Sequence, residues 1–181
     1  MAKIAFITGG ASSGKSRWAV NCFESCDDVM YMYIADDLDK EIAGRIEYNC
    51  KNRGIEWVIK TGADNLVELV EGHKFSILDN LGAYVNRRIN EKCPDISTMT
   101  EESRREIEQY IIDEIIKLID SIKDMNGNLL IISTELNYCP IPKDLDQRWF
   151  REIMGNINQR IANMCTEVYL AASGIVFKIK G

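Results

Sequence analysis

The stretch Gly9-Gly10-Ala11-Ser12-Ser13-Gly14-Lys15-Ser16 constrains this chain more than any other feature. It fits the pattern G-x-x-x-x-G-K-[ST]. It lies between an apolar run, Lys3 to Thr8, and a segment of helical spacing, Lys15 to Ser25. Strand, glycine loop and helix form the context in which that spacing binds phosphate. The chemistry explains the residue types. Glycines let backbone N–H groups turn inward around phosphate oxygens. A helix beginning near Lys15 points the positive end of its dipole at the same anion. Lys15 supplies a charge to the outer phosphates, and the Ser16 hydroxyl is placed to ligate Mg²⁺. Gly9, Gly10, Ala11, Ser12, Ser13, Gly14, Lys15 and Ser16 are therefore the expected binding residues for ATP or GTP. A plain glycine turn without ligand is the alternative.

The rest of the chain alternates strands and helices. Apolar runs predict strands at Val29–Ile34, Ile55–Ile59, Phe75–Leu78, Leu129–Ser133, Glu167–Ala171 and Ile175–Ile179. Helical spacing predicts helices at Leu38–Lys51, Asn65–Glu71, Gly82–Asn90, Thr100–Lys123 and Asp144–Met164. The strands are continuous runs rather than alternations, so both of their faces are expected to be covered. That gives an α/β, P-loop-type fold: a mostly parallel sheet with helices on both faces. Ser173-Gly174 reads as a hairpin turn that adds an antiparallel edge. At 181 residues and 46% hydrophobic composition, one domain over 1–181 can bury its core.

A phosphate loop needs an acid at the end of a neighbouring strand to hold the metal. Asp79 closes Phe75-Ser76-Ile77-Leu78-Asp79 and is the first candidate, as a catalytic residue and Mg²⁺ ligand. Glu135, after the strand ending at Ser133, is a rival or helper. Both stand at carboxyl ends of strands, where open α/β sheets bind ligands. The acidic run Asp36-Asp37-Asp39-Glu41 follows a strand and reads as a solvated loop and helix cap near that edge. Arg87-Arg88 and Arg104-Arg105 read as solvated helix faces, and Trp18, Trp57 and Trp149 as core or flanking aromatics.

Composition narrows the partners. The net charge is -6 and there is no basic run, which argues against nucleic acid and anionic membrane surfaces. No apolar run approaches the ~20 residues of a membrane helix. Met1 to Thr8 is too short for a secretory core segment. Six cysteines occur without a C-x-x-C pair, which reads as reduced side chains in a cytoplasmic protein rather than metal ligands.

Taken with its C-terminal part, the chain resembles the bifunctional cobinamide kinase / cobinamide-phosphate guanylyltransferase family of cobalamin biosynthesis, nearly end to end. Thr8 to Arg17, T-G-G-A-S-S-G-K-S-R, is similar to the family opening T-G-G-A-R-S-G-K-S-R. Tyr33-Ile34-Ala35, Arg45-Ile46, Arg53 and Trp57 match its following elements. Trp149 to Ala162, W-F-R-E-I-M-G-N-I-N-Q-R-I-A, continued by Glu167-Val168 and Ser173-Gly174-Ile175, resembles its F-R-D-x-x-G-x-x-N-Q-x-x-A…E-V…G ending. The resemblance implies two reactions on a corrinoid small molecule. A nucleotide γ-phosphoryl group passes to the hydroxyl of adenosylcobinamide, and GMP then passes through a histidine to the phosphorylated product. It also implies nucleotide contacts from Asp36, Asp37, Leu38 and the Lys51–Arg53 stretch, and suggests a homo-oligomer. The family's R-I-x-x-H helix reads Arg45-Ile46-Glu47-Tyr48-Asn49 here, so Asn49 stands at the histidine position and guanylyl transfer lacks its nucleophile. Thr61 replaces a family acid, and the N-E-V-G-x-G-I-V-P loop reads Thr134 to Pro142. Two other readings fit the same residues: a small-molecule kinase with a different alcohol acceptor, and a non-catalytic nucleotide-binding regulatory protein.

Overall fold

Seven strands form one sheet in the order β3-β2-β4-β5-β1-β6-β7 in the computed structural model, which describes residues 2–35, 39–62, 64–136 and 140–181. The strands are β1 (Lys3–Gly9), β2 (Val29–Tyr33), β3 (Trp57–Thr61), β4 (Phe75–Asp79), β5 (Asn128–Ile132), β6 (Glu167–Ala172) and β7 (Ile175–Lys180). The first six run parallel and β7 returns antiparallel on β6. The helices are α1 (Lys15–Cys22), α2 (Lys40–Arg53), α3 (Leu66–Val70), α4 (Leu81–Lys92), α5 (Glu101–Asp124) and α6 (Leu145–Met164). The parallel sheet and its antiparallel edge are those the apolar runs predict.

The period of two along β1 sorts its side chains between two cores. Ile4 and Phe6 pack with α4, α5 and α6, whereas Ala5 and Ile7 pack with α1 and α2. Helix α5 buries the expected stripe Ile107, Ile111, Ile115, Leu118 and Ile122. Its N-terminus carries a reciprocal cap: the Thr100 hydroxyl accepts from Ser103 N–H and the Ser103 hydroxyl accepts from Thr100 N–H.

Some boundaries and roles differ from expectation. Gly54 ends α2 in the left-handed conformation and Ile55 N–H bonds Cys50 O, so Ile55 belongs to the cap and β3 starts two residues later, at Trp57. Arg88, expected on a solvated face, is 9% exposed. It donates to Glu91, Glu114, the Asp64 carbonyl and the Tyr84 hydroxyl, which tie α4 to α5 and to the turn before α3. Arg87 likewise donates to the Gly62 and Ile34 carbonyls and to Asp64. Arg104 pairs with Glu101 and Glu108 and lies over the Trp149 ring.

Glu167 fastens the edge hairpin to β1. Its carboxylate accepts from Lys3, Lys178 and the Tyr169 hydroxyl, each at 2.7 Å. Burial alone would raise its pKa, but the donors Lys178, Lys3 and Tyr169 outweigh that and hold it at about 2. A depressed carboxyl stabilises the fold above its unfolded pKa and loses that contribution as pH falls toward the folded value. Glu167→Gln should therefore cost about 1–2 kcal/mol at pH 7, discounted for the solvent around this rim site. Urea melts should show the gap to wild type shrinking from pH 4.5 down to about 2. A gap that stays constant over that range would mean the ion pairs contribute nothing.

Candidate nucleotide site

The phosphate loop sits where β1 hands over to α1. Gly14 takes the left-handed conformation, φ 93°, immediately before the first helical residue, Lys15. The Lys15 ammonium folds back into the loop, donating to the Gly9 carbonyl at 2.9 Å, the Gly10 carbonyl at 2.7 Å and Ser13 Oγ at 3.4 Å. Burial lowers its pKa, and the nearby Asp79 carboxylate partly offsets this. A cation held on carbonyls of a glycine loop could exchange them for phosphate oxygens.

Neighbouring strands clamp the loop. A Cβ on Gly9 would lie 2.3 Å from the Ala171 carbonyl of β6, so β1 and β6 approach too closely there for any side chain. Gly174 N–H bonds the Ser13 carbonyl, and the Gly174 Cα lies 3.4 Å from where a Gly14 side chain would begin. On the other flank Glu135 N–H bonds the Gly9 carbonyl. Asn158 of α6 secures the chain after β5: it accepts from the Ser133 hydroxyl at 2.6 Å and donates to the Thr134 carbonyl at 3.0 Å.

Asp79 ends β4 and is 3% exposed. Its Oδ2 accepts from the Tyr31 hydroxyl at 2.6 Å, and Ser16 lines the same cavity. Burial raises its pKa, opposed by the Tyr31 and Ser16 hydroxyls and by the Lys15 charge. Burial foremost, and then the Asp79 charge, push the Tyr31 phenol far above its usual pKa, so it remains a donor. A cavity of about 320 Å³ opens over this group. It is lined by Ser12 to Arg17, by Tyr33, Asp79 and Asn80, and by Asp39 with Glu41 and Ile42 of α2. Asp39 caps α2 through Glu41 and Ile42 N–H, and Asn80 caps α4 through Ala83 N–H.

The expected residues divide. Lys15, Ser16 and Asp79 converge with Ser12, Ser13 and Gly14 on one cavity, and Gly9, Gly10 and Ala11 form the first turn of the loop. Glu135 stands beside that turn through its backbone, and its side chain does not line the cavity. Asp36, Asp37 and Leu38 fall outside the described residues. Arg53 lies apart from the cavity. It closes α2 at the opposite end from Asp39, about 20 Å along a helix of that length, and donates to Ser25 and Glu24 at 3.2 Å each. The 14-residue helix carries it away from the carboxyl edge of the sheet. Asn49 lies seven residues beyond the cavity residue Ile42, about 10 Å further along α2, and is 8% exposed, its amide nitrogen without a partner among the described residues. Tyr48 is 69% exposed.

Tyr31 is the site residue that sequence reasoning misses. Its signal is the alternation Tyr31-x-Tyr33: β2 pairs with β4 so that Tyr33 aligns with Asp79, and period two puts Tyr31 on the same face. Hydroxyl and carboxylate oxygens such as those of Ser16 and Asp79 are hard donors of the kind that suit Mg²⁺, and they could hold a nucleotide-borne ion. Among the described residues no group of three His, Cys, Asp or Glu gathers as a free-standing metal cage, and a nucleotide-borne ion does not require one.

The profile of the cobinamide kinase / cobinamide phosphate guanyltransferase family matches residues 5–179. The chain belongs to that family. It is 31% identical over 182 aligned positions to the bifunctional adenosylcobalamin biosynthesis protein CobU of Escherichia coli K12, covering 96% of this chain and 98% of that one. It is 29% identical, with the same coverage, to the protein of that name in Salmonella typhimurium LT2. Among solved structures, a prototypical ATPase from the type III secretion system of pathogenic bacteria superposes with a TM-score of 0.59 over 93% of this chain. The chain spans 51% of that ATPase, and at 12% identity the likeness is one of fold. Among the described residues no helix is long and apolar enough to cross a membrane.

Proposed function

We propose that this member of the cobinamide kinase / guanyltransferase family transfers the terminal phosphoryl group of ATP or GTP to the hydroxyl of adenosylcobinamide, and that it forms no histidine-GMP intermediate. The observation that supports this reading is the convergence of Lys15, Ser16 and buried Asp79 on one cavity, combined with asparagine at position 49. Phosphoryl transfer asks the protein for positioning and charge neutralisation rather than a covalent nucleophile. The loop amides and Lys15 bind and orient the phosphates, and Lys15 exchanges its carbonyl partners for phosphate oxygens. Ser16 and Asp79 would hold Mg²⁺, which when bound supplies charge to the bridging and leaving oxygens. The acceptor hydroxyl approaches from the open side of the cavity.

Guanylyl transfer through the protein needs a nucleophile within ~3–3.5 Å of the α-phosphate. An amide at position 49 is not one. The single histidine of the sequence, His73, precedes β4, and its Nδ1 lies 2.7 Å from Asp28 Oδ1. The five residues of β4 set it about 15 Å from the carboxyl edge. Tyr48 has a phenol but faces solvent. Incubation with cobinamide and γ-labelled nucleotide should move label to the corrinoid. Incubation with α-labelled GTP should leave the denatured protein unlabelled. An acid-labile label that peptide mapping locates on His73, or an acid-stable one on Tyr48, would overturn this part of the reading.

A further inference from the structure

The phenol of Tyr31 makes a short buried contact at the site, equal in length to that of Ser133 with Asn158. It is 0% exposed, and its hydroxyl donates to Asp79 Oδ2 at 2.6 Å from the neighbouring strand. We propose that Tyr31 is a positioning residue for the metal-bearing carboxylate. It occupies one oxygen of Asp79 and fixes the plane of the group, so that the other oxygen is presented to Ser16 and to Mg²⁺. The inference rests on the reading of Asp79 as the metal-holding acid.

Three observations carry it. First, the contact is built by rigid elements. Tyr31 and Asp79 stand on paired strands β2 and β4, two register positions apart on one face, and neither depends on a loop for its place. Second, the phenol ring is held independently of Asp79: it stacks on Trp57 at 6.4 Å between centroids and 24° between planes, inside the core that α1 and α2 cover. A donor locked by packing orients its partner rather than following it. Third, the torsion that sets the plane of an aspartate carboxylate is broad, so a fixed donor is what selects one orientation. The Ser16 hydroxyl is itself needed by the metal, so Tyr31 is the donor that can remain on Asp79 when Mg²⁺-nucleotide is bound. Partners one step removed from a metal commonly set its affinity in this way.

Tyr31→Phe tests the proposal, because it keeps the ring and its Trp57 stacking and removes the hydroxyl alone. Calorimetric titration with a non-hydrolysable GTP or ATP analogue should give wild-type affinity in EDTA. The Mg²⁺ concentration that half-saturates the metal-dependent gain in affinity should rise about 10-fold or more. In the Asp79→Asn background the same substitution should add nothing further, since the group it positions is gone. A merely structural role would lower the melting temperature and leave the Mg²⁺ dependence where it was, and that result overturns the proposal. If Asp79→Asn alone left the Mg²⁺ dependence unchanged, the metal reading of Asp79 would fall and the positioning role with it. A shift in Asp79→Asn with none in Tyr31→Phe would remove the positioning role alone.

Discussion

Lys15→Ala should weaken binding of ATP and GTP by about 1.5–3 kcal/mol or more, roughly 10- to 150-fold in Kd. The ammonium that reaches the phosphates is the one that now bridges the Gly9 and Gly10 carbonyls. Alanine removes a charge-assisted contact to the anion and also leaves two inward carbonyls facing the phosphates without their donor. Both effects act in the same direction. Replacement by arginine should not restore the site, because a planar fork cannot occupy the volume of a point charge inside a tight loop. Titration calorimetry with each nucleotide measures the loss. Unchanged affinity in Lys15→Ala would show that the phosphates bind elsewhere.

Asp79→Asn should cut phosphoryl transfer by about 10²–10³-fold, the scale of removing one preorganised electrostatic group, and should at the same time make the metal-free protein more stable. The second half follows from burial. A carboxyl whose folded pKa lies above its ordinary 3.8 holds its proton more readily in the native state than in the unfolded chain. Native stability therefore falls as pH rises from 3.8 through the folded value, and at pH 7 the ionised group is a net cost. Asparagine keeps the shape, still accepts from Tyr31, and carries no charge. The variant should melt above wild type at pH 7, with the difference closing toward pH 3.8. Many active sites are held against the interest of stability in this way. A variant that lost stability at neutral pH, or kept full turnover, would show that Asp79 is a structural carboxylate.

The candidate phosphate loop and the acid that shares its cavity are legible in the amino-acid sequence by itself. The glycine spacing, Lys15 and Ser16 form a local pattern, and Asp79 ends an apolar run, so both follow from short stretches of chain. Pairings between distant strands do not. Nothing around Tyr31 says that β2 will lie beside β4, and the 2.6 Å contact exists because of that adjacency. Asn158 reads as one polar residue on an amphipathic helix, and its grip on Ser133 and Thr134 follows from where α6 docks. Arg53 stands apart from the cavity for the opposite reason. Family spacing places it near nucleotide, but the 14 residues of α2 form one uninterrupted helix that takes it to the far edge of the sheet. Arg88 reads as surface because charge is usually exposed, and it is buried here because four acceptors meet it.

The clasp between the edge hairpin and the phosphate loop bears on how the protein is made. The anion-binding sequence is complete by residue 16, yet Gly9 is shaped by Ala171, and Ser13 is tied to Gly174, some 160 positions later. On the ribosome the loop must therefore wait, with β1 unpaired on either side, until residues 128–132 and 167–172 have been synthesised. A nucleotide arriving earlier would meet a loop without the contacts of Ala171 and Gly174. The apolar strand stays open to wrong partners for most of synthesis, the exposure that makes high-contact-order parallel sheets slow to form and dependent on cellular protection.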